Sequence, residues 1–257
     1  MKQTSKTFSW LMAGVLALAI TATAEAQTAK ERTAKVARIK GSARYSTGSN
    51  VWQPLAVGTV LRGGMVVQTA ADSYVDVVLA EEVTAAPPAA PGAMMNYSPN
   101  SQQDVVRVFA DTVLGIDKLT AVDTGADEVT ETELDLRSGQ IMGSVKKQSA
   151  ASRYEVKVPN GVAGIRGTVY LLSAEGVVSV LVGSVVLAYT KADGSVATQV
   201  VAAGFQFDSR TGALTPIPKE RQGNLLRTAR DASVRVLARP SSIVVDNTID
   251  YVSPVSN

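Results

Sequence analysis

The sequence predicts an all-β fold: a rolled or stacked antiparallel sheet finished by one C-terminal amphipathic helix. Three observations predict it. Short segments alternate apolar and polar residues, other short segments are almost wholly apolar, and Gly, Asn and Asp punctuate the boundaries. Tyr154-Glu155-Val156-Lys157-Val158 and Leu134-Asp135-Leu136 have the period of two that a sheet with one wetted face needs. The runs Val177–Val182 and Val185–Tyr189 read as two strands covered on both faces.

Turns follow from residue type. Asp193-Gly194 lies between Tyr189 and Val200, and both residues tolerate positive φ, so a hairpin is expected there. Thr47-Gly48-Ser49-Asn50 makes a second turn between Tyr45 and Trp52. Gly41-Ser42-Ala43, Gly139-Gln140-Ile141 and Gly183-Ser184-Val185 echo one another between strand-like runs. A glycine in such a place lets a strand bend or another backbone come close. Their irregular spacing argues against a solenoid repeat. The β pattern continues to about residue 208.

Two segments break it. Residues 81–104 contain Ala85-Ala86-Pro87-Pro88-Ala89-Ala90-Pro91, which cannot join a ladder and reads as an exposed loop inserted between two strands. Within 217–239, Leu225, Ala229, Ala232 and Val236 fall at helical spacing, with Pro218 near the start and Pro240 just past the end. The tail 240–257 holds a strand-like Ile243-Val244-Val245.

The first residues have the layout of a secretory signal peptide. Lys2 and Lys6 precede an apolar run of 13 residues from Phe8 to Ile20, followed by Ala24-Glu25-Ala26. A membrane-spanning helix needs roughly 20 apolar residues, so a cleaved leader 1–26 is expected, with no transmembrane anchor afterwards. Removing 26 of 257 residues leaves 231. A chain of that length buries roughly 70% of its unfolded surface without help from disulfides. Without Lys2, Lys6 and Glu25 the balance is 23 basic to 22 acidic residues, which offers no electrostatic reason to bind nucleic acid. The chain has no His and no Cys. The commonest general base, thiolate nucleophiles and zinc–sulfur sites are thereby excluded.

From Lys35 to Asp208 the sequence resembles the FecR domain family. Its opening reads Val36–Ala43, then Trp52-Gln53-Pro54-Leu55, Gly58, Leu61-Arg62-Gly63-Gly64 and Val67-Gln68-Thr69. The more specific part runs Leu136-Arg137-Ser138-Gly139-Gln140-Ile141, then Tyr154–Gly161, then Gly164-Ile165-Arg166-Gly167-Thr168-Val169-Tyr170, and closes on Val182-Gly183-Ser184-Val185. The resemblance implies an exported β domain whose motif residues, Trp52, Gly58, Gly63, Thr69, Gly139, Gly164, Arg166, Gly167, Thr168 and Gly183, are mainly structural. The best-known members are membrane-spanning regulators with a cytoplasmic anti-sigma segment. Almost nothing precedes the leader here, so that segment is not expected.

Several candidates compete with blander readings. Arg166, flanked by Gly164 and Gly167 in an apolar strand, is expected to be a buried clamp bonded to strand carbonyls or to a carboxylate such as Asp135; anion binding is the alternative. Asp123, Asp127, Glu128, Glu131, Glu133 and Asp135 lack the spacing of a calcium loop and read as a solvated face. The basic segment Lys30, Arg32, Lys35, Arg38, Lys40 and Arg44 offers them a complement, in the fold or in a dimer. Ser144-Val145-Lys146-Lys147 fits Ser-x-x-Lys, but its penicillin-binding companions are missing. The arginines of the helix, Arg221, Arg227, Arg230, Arg235 and Arg239, read as solvated while its apolar stripe docks on the sheet.

The expectation is therefore a non-catalytic binding, sensing or scaffold module of the bacterial cell envelope, periplasmic or secreted. It has no catalytic, cofactor or metal set, and its partner is an envelope protein, cell-wall glycan or a second copy of itself. Two alternatives remain open: a secreted enzyme using paired carboxylates on polysaccharide, and a self-assembling envelope protein. Aromatic platforms for a sugar chain are scarce, at 5% of residues.

Overall fold

The computed structural model describes residues 29–48, 51–79 and 104–237, with their side chains as far as Ser233. The leader and its cleavage point, residues 81–103 of the proline-rich segment and the 240–257 tail lie outside the described residues.

Before the proline-rich segment come β1 (Lys30–Glu31), β2 (Ala34–Lys40), β3 (Ala43–Ser46), β4 (Trp52–Pro54), β5 (Val60–Leu61), β6 (Met65–Thr69) and β7 (Tyr74–Val78). After it come β8 (Val105–Val108), β9 (Val113–Asp123), β10 (Glu128–Ser138), β11 (Gln140–Ser144), β12 (Arg153–Val158), β13 (Gly161–Ser173) and β14 (Val177–Thr190). The chain closes with β15 (Val196–Ala202), β16 (Phe205–Asp208), β17 (Ala213–Pro216) and α1 (Lys219–Leu237).

All the strands belong to one continuous sheet that curls round on itself. One half runs β4-β3-β6-β9-β10-β12, then the first part of β13, the second part of β14, and β15. The other runs β5-β2-β7-β8-β11, then the second part of β13, the first part of β14, β16 and β17. The long β13–β14 hairpin is thus shared by both halves and fastens them together. Inward residues of the two halves meet in one core. Leu134, Val156, Ile165 and Leu187 face Val106, Ile141, Leu172 and Val178, all buried.

The rolled sheet and terminal helix match the expected fold class, and four details differ. Pairing is antiparallel except between β10 and β12, which is parallel. Val177–Val182 and Val185–Tyr189 form one strand, not two. Only its first part is covered on both faces; in the second, Val185 and Leu187 point inward while Val186 is 44% exposed. The β pattern also runs past residue 208, through β17.

The fourth detail concerns Asp104, which does not belong to the loop. Its carbonyl accepts the Leu79 N–H (2.8 Å), closing the β7–β8 connection. Its buried carboxylate accepts the Lys146 N–H (2.8 Å) and Gln148 Nε2 (3.0 Å). The expected hairpin at Asp193-Gly194 is present: Lys191 N–H donates to Ser195 and Gly194 N–H donates to Lys191.

Helix α1 starts just after Pro218, whose carbonyl accepts the Gln222 N–H (2.9 Å) and whose missing N–H costs little at a helix start. The helix lies on the outer face of the second half-sheet. Leu225 and Ala229 pack against Met142, Val169 and Leu181, and Ala232 packs against Val78 and Val105. Among the described residues no helix is long and apolar enough to cross a membrane.

Candidate functional site

The β13–β14 hairpin passes from one half-sheet to the other through a paired kink. Arg166 registers with Ser184 and Val169 with Val182, so Gly167 and Thr168 together oppose Gly183 alone. This is a β-bulge, which bends the strand and increases its twist. Gly167 (φ 61°) and Gly183 (φ 78°) both have positive φ, which glycine alone adopts without steric cost. Buried Thr168 locks the bend: its hydroxyl donates to the Ser184 carbonyl (2.8 Å), and its carbonyl accepts the Val145 N–H (2.9 Å).

The bulge turns Arg166 outward. The expected buried clamp is therefore corrected: Arg166 is exposed, and Asp135 pairs with Arg137 (2.7 Å) instead. Two glycines flanking an arginine suggested close packing, but the kink they permit directs the side chain to solvent. Arg166, exposed Lys147, Val145 and Gly167 line a shallow recess of about 320 Å³. Among the described residues neither cation has an ion-pair partner.

The outward row of Arg166 continues across the sheet into an apolar strip. Arg166 registers with Ser184 and Ser184 with Ala202; Gly164 registers with Val186 and Val186 with Val200. Val186, Val196 and Val200 are 44%, 74% and 55% exposed. Among the described residues strand β15 pairs only with β14, and no strand there borders its other edge. From Val196 to Ala202 it carries none of the charges or prolines that usually protect an edge.

The acidic candidates occupy the opposite side of the same outer face. Alternation puts Glu131, Glu133 and Asp135 outside and Thr132, Leu134 and Leu136 inside. Lys118 pairs with Glu131 (2.5 Å), Arg153 with Glu155 (2.7 Å), and Lys157 with Asp117 (2.9 Å) and Glu133 (3.2 Å). Glu131, Glu133 and Asp135 thus pair with cations of β9, β10 and β12, Lys118, Arg137, Arg153 and Lys157, rather than with the basic N-terminal segment. Arg32 from that segment is buried and donates to the Leu79 carbonyl (2.9 Å). Ser144 is buried on strand β11, not at the helix start that a Ser-x-x-Lys enzyme needs.

The remaining motif residues fall into two groups. Thr69 and Gly139 meet through Thr112, whose N–H donates to the Thr69 hydroxyl (3.0 Å) and whose own hydroxyl accepts the Gln140 N–H (3.1 Å). Trp52, Gly58 and Gly63 lie apart. Trp52 is on the edge strand β4 under the Arg44 guanidinium (4.4 Å), the Gly58 N–H donates to Val36 (2.8 Å), and Gly63 faces the Asp117 carbonyl.

Sequence reasoning missed the most densely charged cluster. Asp76, fully buried, accepts Arg107 Nε (2.6 Å) and Nη2 (3.0 Å) and Arg38 Nε (2.6 Å). Asp231 of α1 accepts Arg38 Nη2 (2.8 Å) and Arg107 Nη2 (2.9 Å). The Tyr74 ring lies 4.5 Å from the Arg107 guanidinium and 5.1 Å from that of Arg38. Burial alone would lower the Arg38 pKa, but the charge and hydrogen bond of Asp76, with Tyr74 and Asp231, hold it above its ordinary value. A signal was available. Val75-Asp76-Val77-Val78 and Val105-Val106-Arg107-Val108 each bury one charge in an apolar run, and the two signs are opposite.

A curled all-β domain with a glycine-kinked hairpin is the class that this geometry defines. The family model described as FecR protein matches residues 96–186 of the chain. The match is narrower than 35–208: it includes Gly139, Gly164, Arg166, Gly167, Thr168 and Gly183 but not Trp52, Gly58, Gly63 or Thr69. Among curated proteins no relative matches. Two crystal structures from Parabacteroides distasonis ATCC 8503, at 2.50 and 1.65 Å resolution, are each described provisionally as an anti-sigma factor and are similar to this chain. Both are 17% identical over 49% of this chain, with TM-scores of 0.33 and 0.32. The chain spans about half the length of those proteins, 55% and 56%.

Proposed function

We propose that this chain is an exported, non-catalytic binding or sensing module of the bacterial cell envelope, and that it engages a protein partner by strand addition at β15. The observation that carries this reading is an uncharged strand whose outer edge has no strand partner among the described residues, beside the exposed Val186, Val196 and Val200. Added strands gain affinity from main-chain hydrogen bonds and specificity from alternate side chains. Exposed Arg166 stands two strands away, roughly 10 Å at ordinary strand spacing, where it meets the rim of such a partner. The FecR match to residues 96–186 supports a role in recognition, and the leader-like residues 1–26 support export.

The test is capture from the producing cell's envelope with the full mature chain and its Val200→Lys variant. A partner retained by the wild type and lost on Val200→Lys is the expected result. Equal capture by both would exclude β15. Capture of the chain's own copies alone would turn the reading to a self-assembling envelope protein. N-terminal sequencing of the exported protein is expected to begin at Gln27.

A further inference from the structure

The segment after β11 and the bulge in β13 bring two cations to one recess, and the backbone beneath each is pinned. The Lys146 N–H donates to one oxygen of the buried Asp104 carboxylate (2.8 Å), and Gln148 Nε2 donates to the other (3.0 Å). Lys147 is held between these two anchors. Val145 and Gln148 are buried, and Lys147 is exposed. Its chain passes beside Gly167, where an added Cβ would lie 3.4 Å from Lys147 Cα and 3.5 Å from its Cβ. On β13 the Thr168 hydroxyl lies 2.8 Å from the Ser184 carbonyl and 3.0 Å from that of Arg166, which fixes the residue that carries the guanidinium. Bulges that re-aim a side chain are concentrated beside functional sites.

Neither head group is spent within the fold. Lys147 and Arg166 have no ion-pair partner among the described residues, and Glu155, which β12 brings beside Gly164, pairs with Arg153 (2.7 Å) instead. Two like charges that line one recess of about 320 Å³ repel each other, and an anion between them turns that repulsion into attraction. The donor set also selects the anion. A guanidinium fork takes two oxygens in its own plane, and an ammonium takes another as a point charge. A carboxylate has only the two oxygens that the fork occupies, whereas a phosphate offers a further one to Lys147.

We infer that the recess of Val145, Lys147, Arg166 and Gly167 binds a phosphate group, as the free ion or on a lipid headgroup. It lies on the side of β13 that faces β11 and β12, while β14 and β15 lie on the other side. The assignment is therefore independent of strand addition at β15, and either stands if the other fails.

The experiment titrates the full mature chain calorimetrically with inorganic phosphate at constant ionic strength, with acetate as the comparison anion. Lys147→Ala and Arg166→Ala are each expected to weaken phosphate binding roughly 10-fold, the scale of one lost charged hydrogen bond, at unchanged melting temperature. Lys191→Ala, which removes an exposed charge at the β14–β15 turn, is expected to bind as the wild type does, and Val200→Lys to retain binding. Sedimentation with phosphatidylcholine vesicles, with and without phosphatidylglycerol, separates the sources. Sedimentation that needs both Arg166 and the anionic lipid assigns a headgroup; binding of the free ion alone assigns inorganic phosphate. Undetectable binding in both assays, equal affinity for acetate and phosphate, or a loss on Lys191→Ala as large as on Arg166→Ala overturns the inference.

Discussion

The backbone of Gly183 approaches that of Gly167 so closely that a Cβ on Gly183 would lie 2.5 Å from the Gly167 carbonyl oxygen. That contact is the crossing point of the two half-sheets, because β13 and β14 change partners there. Gly183→Ala therefore meets two penalties: about 1–2 kcal/mol for left-handed backbone and roughly 1–3 kcal/mol for overpacking. Urea denaturation is expected to show a loss of at least about 2 kcal/mol. A variant as stable as wild type would mean that the kink relaxes without cost.

Asp76 and Asp231 share the same two arginines but differ in consequence. Asp76→Ala leaves Arg107, whose side chain is 5% exposed, without its bidentate partner, and removal of one member of a buried pair costs about 3–5 kcal/mol. The Asp231 side chain is 39% exposed and the arginines keep Asp76, so Asp231→Ala is expected to cost well under half as much. Chemical denaturation of the two variants side by side checks the order.

In the core, Gly143 makes room for the Tyr170 ring. A Cβ at Gly143 would fall 2.3 Å from two ring carbons. Tyr170 is fully buried, with the Tyr154 hydroxyl 3.5 Å from its own, and burial holds both phenols well above their ordinary pKa. The ring has little space to retreat, so Gly143→Ala is expected to destabilise by roughly 1–3 kcal/mol. Loss of near-ultraviolet tyrosine dichroism with the fold retained would locate the damage at this contact.

Arg166→Ala carries the opposite expectation. The side chain is exposed and has no ion-pair partner among the described residues, so stability should change by less than about 0.5 kcal/mol. Weaker capture of the envelope partner at unchanged melting temperature is the result that the β15 surface requires. A fall in stability would restore the role of a structural clamp.

Asp104 couples stability to pH. Burial raises its pKa, against the hydrogen bond from the Lys146 N–H, the charges of Lys146 and Arg32, and the Gln148 hydrogen bond. The folded state then takes up this proton at a higher pH than the unfolded chain does. The penalty of the buried charge is present at neutral pH and disappears as pH falls through the folded-state pKa. Asp104→Asn removes the titration. Its stability relative to wild type is expected to be most favourable at pH 7 and to decline on acidification. A difference that is flat with pH would show that Asp104 does not titrate in this way.

Much of the architecture was legible because strands announce themselves locally. Period-two alternation identified β10 and β12, Asp193-Gly194 identified a hairpin, and Pro218 with the Leu225, Ala229 and Ala232 spacing identified α1. Gly139 and Gly183 stood out for the reason that the structure confirms: both have positive φ, and each lies against a threonine, Thr112 or Thr168. The burial of Arg166 was misjudged because the same glycines that allow close packing also allow the bulge that swings the side chain outward.

The all-β class, the lack of His and Cys chemistry, and the FecR-type glycine pattern were readable from residue type or short spacing. Which charges meet depends on the folded chain. Asp76, Arg107 and Asp231 are separated by up to 155 residues, and their pairing depends on strand order and on the face where α1 comes to rest. The edge of β15, without a strand partner among the described residues, was likewise beyond a linear reading. An unpaired edge is a property of the sheet's connectivity, which no local pattern of side chains specifies.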